Sequence, residues 1–266
     1  IHPLLFSLPL SLLVAAVIFG GMKRLSGVLS MVVPFMACIY LVACLLVLYI
    51  FKAQIIPSIY LIFTSAFNSQ SLLGGAAGFS LWSAIRVGFD RGLFATDSGL
   101  GLAPILHSAV RDNSPHKDNR HIQGLISILS PLIVMVVCSM TALVLLTTNV
   151  YQDFSLPSTA LCMQAFIKAF KHPLSGHIIT VTLFFFAFTT ILTWSFCADK
   201  AVDYLFGTKA IKIFQIIFVL FILFGSLVKD QSIWVLGDIS INCMFAINII
   251  GILFLYPLVI KAKNKQ

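Results

Sequence analysis

The sequence predicts an all-α membrane protein with about seven transmembrane helices, one of them discontinuous near residues 94–102. Three observations carry that class. Hydrophobic residues make up 59% of the chain and charged residues 10%, against roughly half and roughly a quarter in soluble domains. Long uncharged runs recur at 1–22, 28–51, 125–150, 178–197, 213–228 and 239–260, most of them near the ~20 residues that span ~30 Å of hydrocarbon. Between the second and third runs lies a segment that is apolar at its flanks and carries Arg91, Asp97, Gly92, Gly99 and Gly101 at its centre. Charges and glycines together inside a membrane helix mark a binding site or an ion pathway.

Taken in order, the first two runs predict ordinary spans, with Lys23 and Arg24 in the loop between them. Residues 53–85 are uncharged but rich in Ser, Asn, Gln and Gly, too polar for a lipid-facing helix. This stretch predicts an interfacial helix beginning after Pro57, followed by a flexible connection through Gly74-Gly75-Ala76-Ala77-Gly78. The broken segment, roughly 81–110, predicts two half-helices separated near 96–101. Fourteen residues at ~1.5 Å each reach about 20 Å, so two such pieces cross a bilayer together. Pro104 stands where a second half-helix would start, a position proline tolerates.

The later runs predict four further spans. The run at 213–228 is short, but Lys212 and Lys229 can extend their stems to the interface. Residues 156–170 form a second connector on the same face as the first, and two surface helices there suggest either a lid or plain loop packing. With seven spans, Lys23, Arg24, Arg111, Lys117, Arg120, Lys200, Lys209, Lys212, Lys261, Lys263 and Lys265 fall on one side. Lys52, Lys168, Lys171 and Lys229 fall on the other. Cytoplasmic loops carry the positive excess, so the C-terminus is expected to be cytoplasmic. A six-span arrangement keeps a similar bias and differs in where Lys23 and Arg24 sit.

The net charge of +8 is dispersed over short loops without an aromatic-interleaved patch, which argues against nucleic acid as a partner. The six cysteines lack metal or redox spacing, and most stand in apolar runs where a thiol behaves as a small hydrophobe. His107, His116 and His121 read as solvated loop residues. No nucleophile–base pair or metal-ligand cluster supports an enzyme, and no cofactor is expected. Ile1 follows neither a methionine nor a charged leader, so the chain reads as cut at its start.

Several motifs then converge. They run from Gly20-Gly21-Met22-Lys23-Arg24-Leu25 and Val33-Pro34-Phe35-Met36-Ala37, through Ser65-Ala66-Phe67 and Gly74-Gly75, to Arg91-Gly92-Leu93-Phe94 and Gly99-Leu100-Gly101-Leu102-Ala103-Pro104. They continue with Gln123-Gly124, Val137-Cys138, Thr141, Phe185-Phe186-Ala187-Phe188-Thr189-Thr190-Ile191-Leu192-Thr193-Trp194-Ser195, Tyr204-Leu205-Phe206-Gly207, Trp234 and Asp238. This combination resembles the alanine/glycine:cation symporters, also called sodium:alanine symporters, over nearly the whole chain. The resemblance implies a partial leucine-transporter-type inverted-repeat fold. Residues 1–52 would be the last two helices of the first repeat, 53–80 an outer interfacial connector, 81–260 the second five-helix repeat and 261–266 a cytoplasmic basic tail.

It also implies sodium-coupled symport of small neutral amino acids such as alanine or glycine, in the bacterial cytoplasmic (inner) membrane, with Na+ as coupling ion. The first broken helix would be absent, so a separate N-terminal fragment is a conceivable partner beside the substrate and the lipid bilayer. A split or non-functional fragment, and an amino-acid or ion channel, remain open alternatives.

The residues of the break suit that role. A helix end near Phe94 and Thr96 presents unpaired carbonyls to a cation, and a helix start near Leu102 presents free N–H groups to a carboxylate. Phe94, Thr96, Asp97, Ser98, Gly99, Gly101 and Trp194 are the expected substrate-binding residues, and Thr189 and Thr190 the expected sodium ligands. Asp97 could meet the substrate ammonium, ligate sodium, or pair with Arg91 to hold the unwound chain. Thr189, Thr190 and Ser195 offer oxygens to a hard cation, although hydroxyls in buried helices commonly bond their own backbone. Trp194 could wall the substrate's side chain or merely pack between helices. The family's Phe-Ser-Asn-Glu-Ala-Gly stands here as Phe94-Ala95-Thr96-Asp97-Ser98-Gly99, and Leu102 replaces a serine. Residues 130–135 are apolar where the family usually carries an Asp-Thr pair.

Overall fold

The computed structural model describes residues 4–67, 75–108, 119–153, 158–225, 227 and 232–263. Among these the chain is predominantly helical and contains no strand. The helices are α1 (Leu4–Ile18), α2 (Gly21–Ile50), α3 (Lys52–Phe67), α4 (Gly75–Thr96), α5 (Leu102–Ser108), α6 (Asn119–Thr147), α7 (Ser158–Phe170), α8 (Ser175–Phe206), α9 (Thr208–Gly225) and α10 (Ser232–Lys263). Five of them are long and apolar enough to cross a membrane: the stretches Lys23–Ile50, Ile122–Thr147, Ser175–Phe206, Thr208–Gly225 and Ile233–Pro257. Pro34, Pro131 and Pro257 lie inside such helices, where neighbouring groups can satisfy the carbonyl a proline frees.

Several element boundaries differ from the sequence expectations, each for a local reason. Among the described residues the first run forms the 15 residues of α1 and ends at Ile18, because the chain turns at Phe19 and Gly20 and restarts at once. Lys23 and Arg24 therefore lie in the first turn of α2, not in a loop. Helix α3 begins at Lys52, ahead of Pro57, which sits inside it. Gly75–Gly78, expected as a flexible connection, forms the opening of α4, whose 22 residues extend about 33 Å at ~1.5 Å each. Weak helix formers at the start of a helix cost little there, because the first N–H groups have no intrahelical partner in any case. Residues 68–74, with Gly74 of the expected connection, the loop with His116, the His121 side chain and residues 154–157 lie outside the described residues.

The chain divides into two compact units. The first comprises Ile1–Phe67 and Val136–Lys229, the second Asn68–Met135 and Asp230–Gln266. In the first unit α8 packs against α1, α2, α7 and α9. Its core joins Tyr40, Cys44 and Val47 of α2, Val144 of α6, Phe166 of α7 and Ile179 of α8. The connector helix α7 thus contributes a fully buried side chain, Phe166, at 1% exposure. Tyr40 donates its hydroxyl to Thr141 Oγ1 at 2.6 Å, while Thr141 donates to Val137 O at 2.9 Å. One hydroxyl thereby closes a chain from α2 to the α6 backbone. In the second unit α4 packs against α10, and that pairing positions the break.

Candidate functional site

The break begins with a helix end. Asp97 takes a left-handed φ of 51° and donates its N–H to Leu93 O at 3.0 Å, the single-bond αL cap. Aspartate is among the few residues that tolerate this conformation. Thr96 donates its hydroxyl to Gly92 O at 2.8 Å and accepts a long contact from the Ser98 N–H at 3.4 Å. Among the described residues no group donates to the carbonyls of Phe94, Ala95 and Thr96. Those three oxygens carry the negative end of the α4 dipole.

Beyond Asp97 the chain stays unwound until Leu102. Gly99 has φ 78° and Gly101 φ 82°, so three left-handed residues fall within five positions. The two glycines are required twice over. A Cβ at Gly99 would stand 2.8 Å from Phe245 Cε2, and one at Gly101 would stand 3.2 Å from Asn248 Oδ1. Buried Leu93, Leu100 and Leu102 anchor the segment on both sides.

Helix α10 holds this segment in place. Asn248 Nδ2 donates to Gly99 O at 2.8 Å, Phe245 meets Phe89 edge to face at 5.7 Å, and Arg91 pairs with Asp238 at 3.1 Å. Asp238, on α10, is a partner for Arg91 that the sequence alone did not offer. Asn248 and Phe245 were not foreseen. The available signal was a stripe in an otherwise uncharged run: Asp238, Asn242, Phe245 and Asn248 follow at steps of four, three and three, which places them on one helix face.

Asp97, Ser98, Gly99 and Gly101 are therefore gathered in one unwound segment of the second unit, and Phe94 and Thr96 stand in the last turn of α4 that leads into it. Thr189, Thr190 and Trp194 lie on α8 in the first unit. Thr189 is buried and donates to Phe185 O at 3.0 Å, with Phe186 O at 3.1 Å; Thr190 is exposed and donates to Phe186 O at 2.8 Å. Both protons are thus committed to the backbone, which leaves each oxygen's lone pairs available to a cation. Trp194 is half-buried, one turn beyond Thr190. His107, expected in a loop, lies on α5 and bonds Gln123 at 2.7 Å through Nδ1.

A break of this kind, in a chain rich in span-length apolar helices, is found where membrane proteins bind small charged solutes. The family model of the Sodium:alanine symporter family matches residues 1–265. The chain belongs to the sodium:alanine symporter family. Its relatives within that family include a sodium/alanine symporter, AgcS, of Methanococcus maripaludis, 34% identical over 98% of this chain and 56% of its own length. A sodium/proton-dependent alanine carrier protein of Bacillus sp. PS3 is 30% identical over 90% of this chain and 56% of its own length. An uncharacterized transporter of Haemophilus influenzae is 34% identical over 94% of this chain and 54% of its own length. The chain spans about half the length of the curated relatives it matches. Family membership and the five span-length helices together mark it as a multi-pass membrane protein.

Proposed function

We propose that these residues supply the second half of a sodium-coupled symporter for small neutral amino acids, alanine and glycine foremost, in a bacterial cytoplasmic membrane. The observation that supports this most is the unwound stretch Asp97–Gly101 with its three left-handed residues. A zwitterion fits it by charge: the open carbonyls of Phe94, Ala95 and Thr96, with Asp97, suit the ammonium, and the N–H groups of Leu102 and Ala103 suit the carboxylate. Gly99 and Gly101 let a ligand approach the main chain closely. Sodium is assigned to Thr189 and Thr190 on α8, whose hydroxyl oxygens suit a hard cation.

The fold reading that accompanies this is of the leucine-transporter type, with about seven spans, α4 and α5 as the broken helix and the C-terminus in the cytoplasm. Transport then needs no chemistry on the substrate. One sodium moving inward across ~100 mV releases about 2.3 kcal/mol, enough to concentrate a neutral solute more than tenfold.

Uptake of labelled alanine into proteoliposomes under a sodium gradient tests the reading, with the chain alone and with the first-repeat helices of a relative co-reconstituted. Saturable, sodium-dependent uptake that Asp97→Asn reduces at least tenfold is expected. Non-saturating flux would indicate a channel. Sodium-independent uptake in both preparations, or full activity of Asp97→Asn, would overturn the assignment.

A further inference from the structure

The first unit contains a second place built for a cation, on α8 beyond the expected sodium ligands. The threonines of that helix, Thr180, Thr182, Thr189, Thr190 and Thr193, all return their hydroxyls to carbonyls three or four residues back. Ser195 does not. Its side chain is completely buried, at 0% exposure, and its Oγ has no hydrogen-bond partner among the described residues. One helical turn on, Asp199 is in the same position: Oδ2 accepts from Gln215 Nε2 at 2.7 Å, while the buried Oδ1 has no partner. The two orphaned oxygens are not bonded to each other, yet both residues line one half-open cavity of about 190 Å³, together with Gly21, Leu25 and Gln215.

Orphaned hydroxyl and carboxylate oxygens in an apolar helix bundle are costly unless something supplies a positive charge. None of the cations nearby forms a salt bridge with either oxygen among the described residues. Lys200 also borders the cavity, but its ammonium lies over the Phe196 ring, 5.8 Å from the centroid. No described lysine or arginine is ion-paired with Asp199. Asp203 adds a second carboxylate to the same lining. Protonating Asp199 would not resolve the shortage, because an O–H at Oδ1 would itself lack an acceptor and Ser195 Oγ would stay unpaired.

We propose that Ser195 and Asp199 form a monovalent-cation site of sodium's chemistry near the C-terminal end of α8, separate from the one assigned to Thr189 and Thr190. Asp199 lies ten positions beyond Thr189, about 15 Å along the helix. A carboxylate and a hydroxyl supply hard oxygen donors. The cavity has room for a few waters, at ~30 Å³ each, to complete the shell. This proposal concerns binding only and stands whether or not the chain transports alanine.

Binding of 22Na+ to the purified full chain in detergent, in choline buffer without alanine, tests it. Wild type is expected to bind sodium saturably, and Thr190→Val, which removes a ligand of the other assigned site, to keep the component held by Ser195 and Asp199. Asp199→Asn added to Thr190→Val should lose that remaining binding, and Ser195→Ala added to it should weaken it on the order of tenfold, the loss expected for one contact to a charge. Size-exclusion profiles report folding. If Asp199→Asn aggregates, Ser195→Ala, which keeps the charge, decides the matter. Sodium binding unchanged when Ser195→Ala and Asp199→Asn are added to Thr190→Val would overturn the proposal. So would binding abolished by Thr190→Val alone, or stabilisation of wild type by acid in choline with no effect of sodium. Alanine uptake is a separate readout, so failure here and failure of the symport reading are distinguishable.

Discussion

Gly99→Ala probes the break at its tightest point. The residue sits at φ 78°, where an L side chain costs about 1–2 kcal/mol. The new methyl would also stand 2.8 Å from Phe245 Cε2 and 2.9 Å from Cδ2, well inside the 3.5–4.0 Å at which carbon atoms rest. Overpacking of that kind costs about 1–3 kcal/mol. The two contributions give about 2–5 kcal/mol, a large part of the stability of a unit this size. A double-mutant cycle with Phe245→Ala separates them. Removing the ring relieves the overlap and leaves the backbone strain, so the double mutant should recover about 1–3 kcal/mol relative to additivity. Phe245→Ala alone also loses its edge-to-face contact with Phe89 at 5.7 Å, worth about 0.5–1.5 kcal/mol. Unfolding in mixed micelles, followed by the fluorescence of Trp82 and Trp234, measures all four states. A Gly99→Ala cost below about 0.5 kcal/mol, or additivity within that margin, would refute the reasoning.

Two further predictions use the same assay. Asn248→Leu removes the 2.8 Å bond to Gly99 O and leaves an unwound carbonyl without its donor, so a loss of about 1–3 kcal/mol is expected. An unchanged unfolding midpoint would show that water or lipid headgroups replace the amide. Phe166→Ala empties a site that is 1% exposed at the centre of the first unit's core and should cost about 3–5 kcal/mol, followed by Trp194 fluorescence. A small effect would mean that α7 rests on the core without filling it.

What could be read before any coordinates were those properties that depend on composition and on neighbours along the chain. Apolar runs locate α2, α6, α8, α9 and α10, because burial in hydrocarbon demands ~20 uncharged residues whatever the neighbouring helices are. The break is legible for the same reason: Asp97, Gly99 and Gly101 are the residue types that accept left-handed backbone, and all three do so. Boundaries were less legible. The turn at Phe19–Gly20 and the helical state of Gly75–Gly78 follow from how the ends of α1 and α4 are accommodated, and local composition understates both.

Partnerships were decided by tertiary structure alone. Arg91 meets Asp238 and Gly99 meets Asn248 across 147 and 149 positions, and Tyr40 meets Thr141 across 101. Lipid and protein interior are similarly apolar, so hydropathy does not distinguish the face of a helix that meets lipid from the face that meets another helix. Only packing makes that distinction. It turns Asn248 from one polar residue in an apolar run into the clamp on the unwound chain, and it leaves Ser195 and Asp199 each with one oxygen that no neighbour among the described residues satisfies.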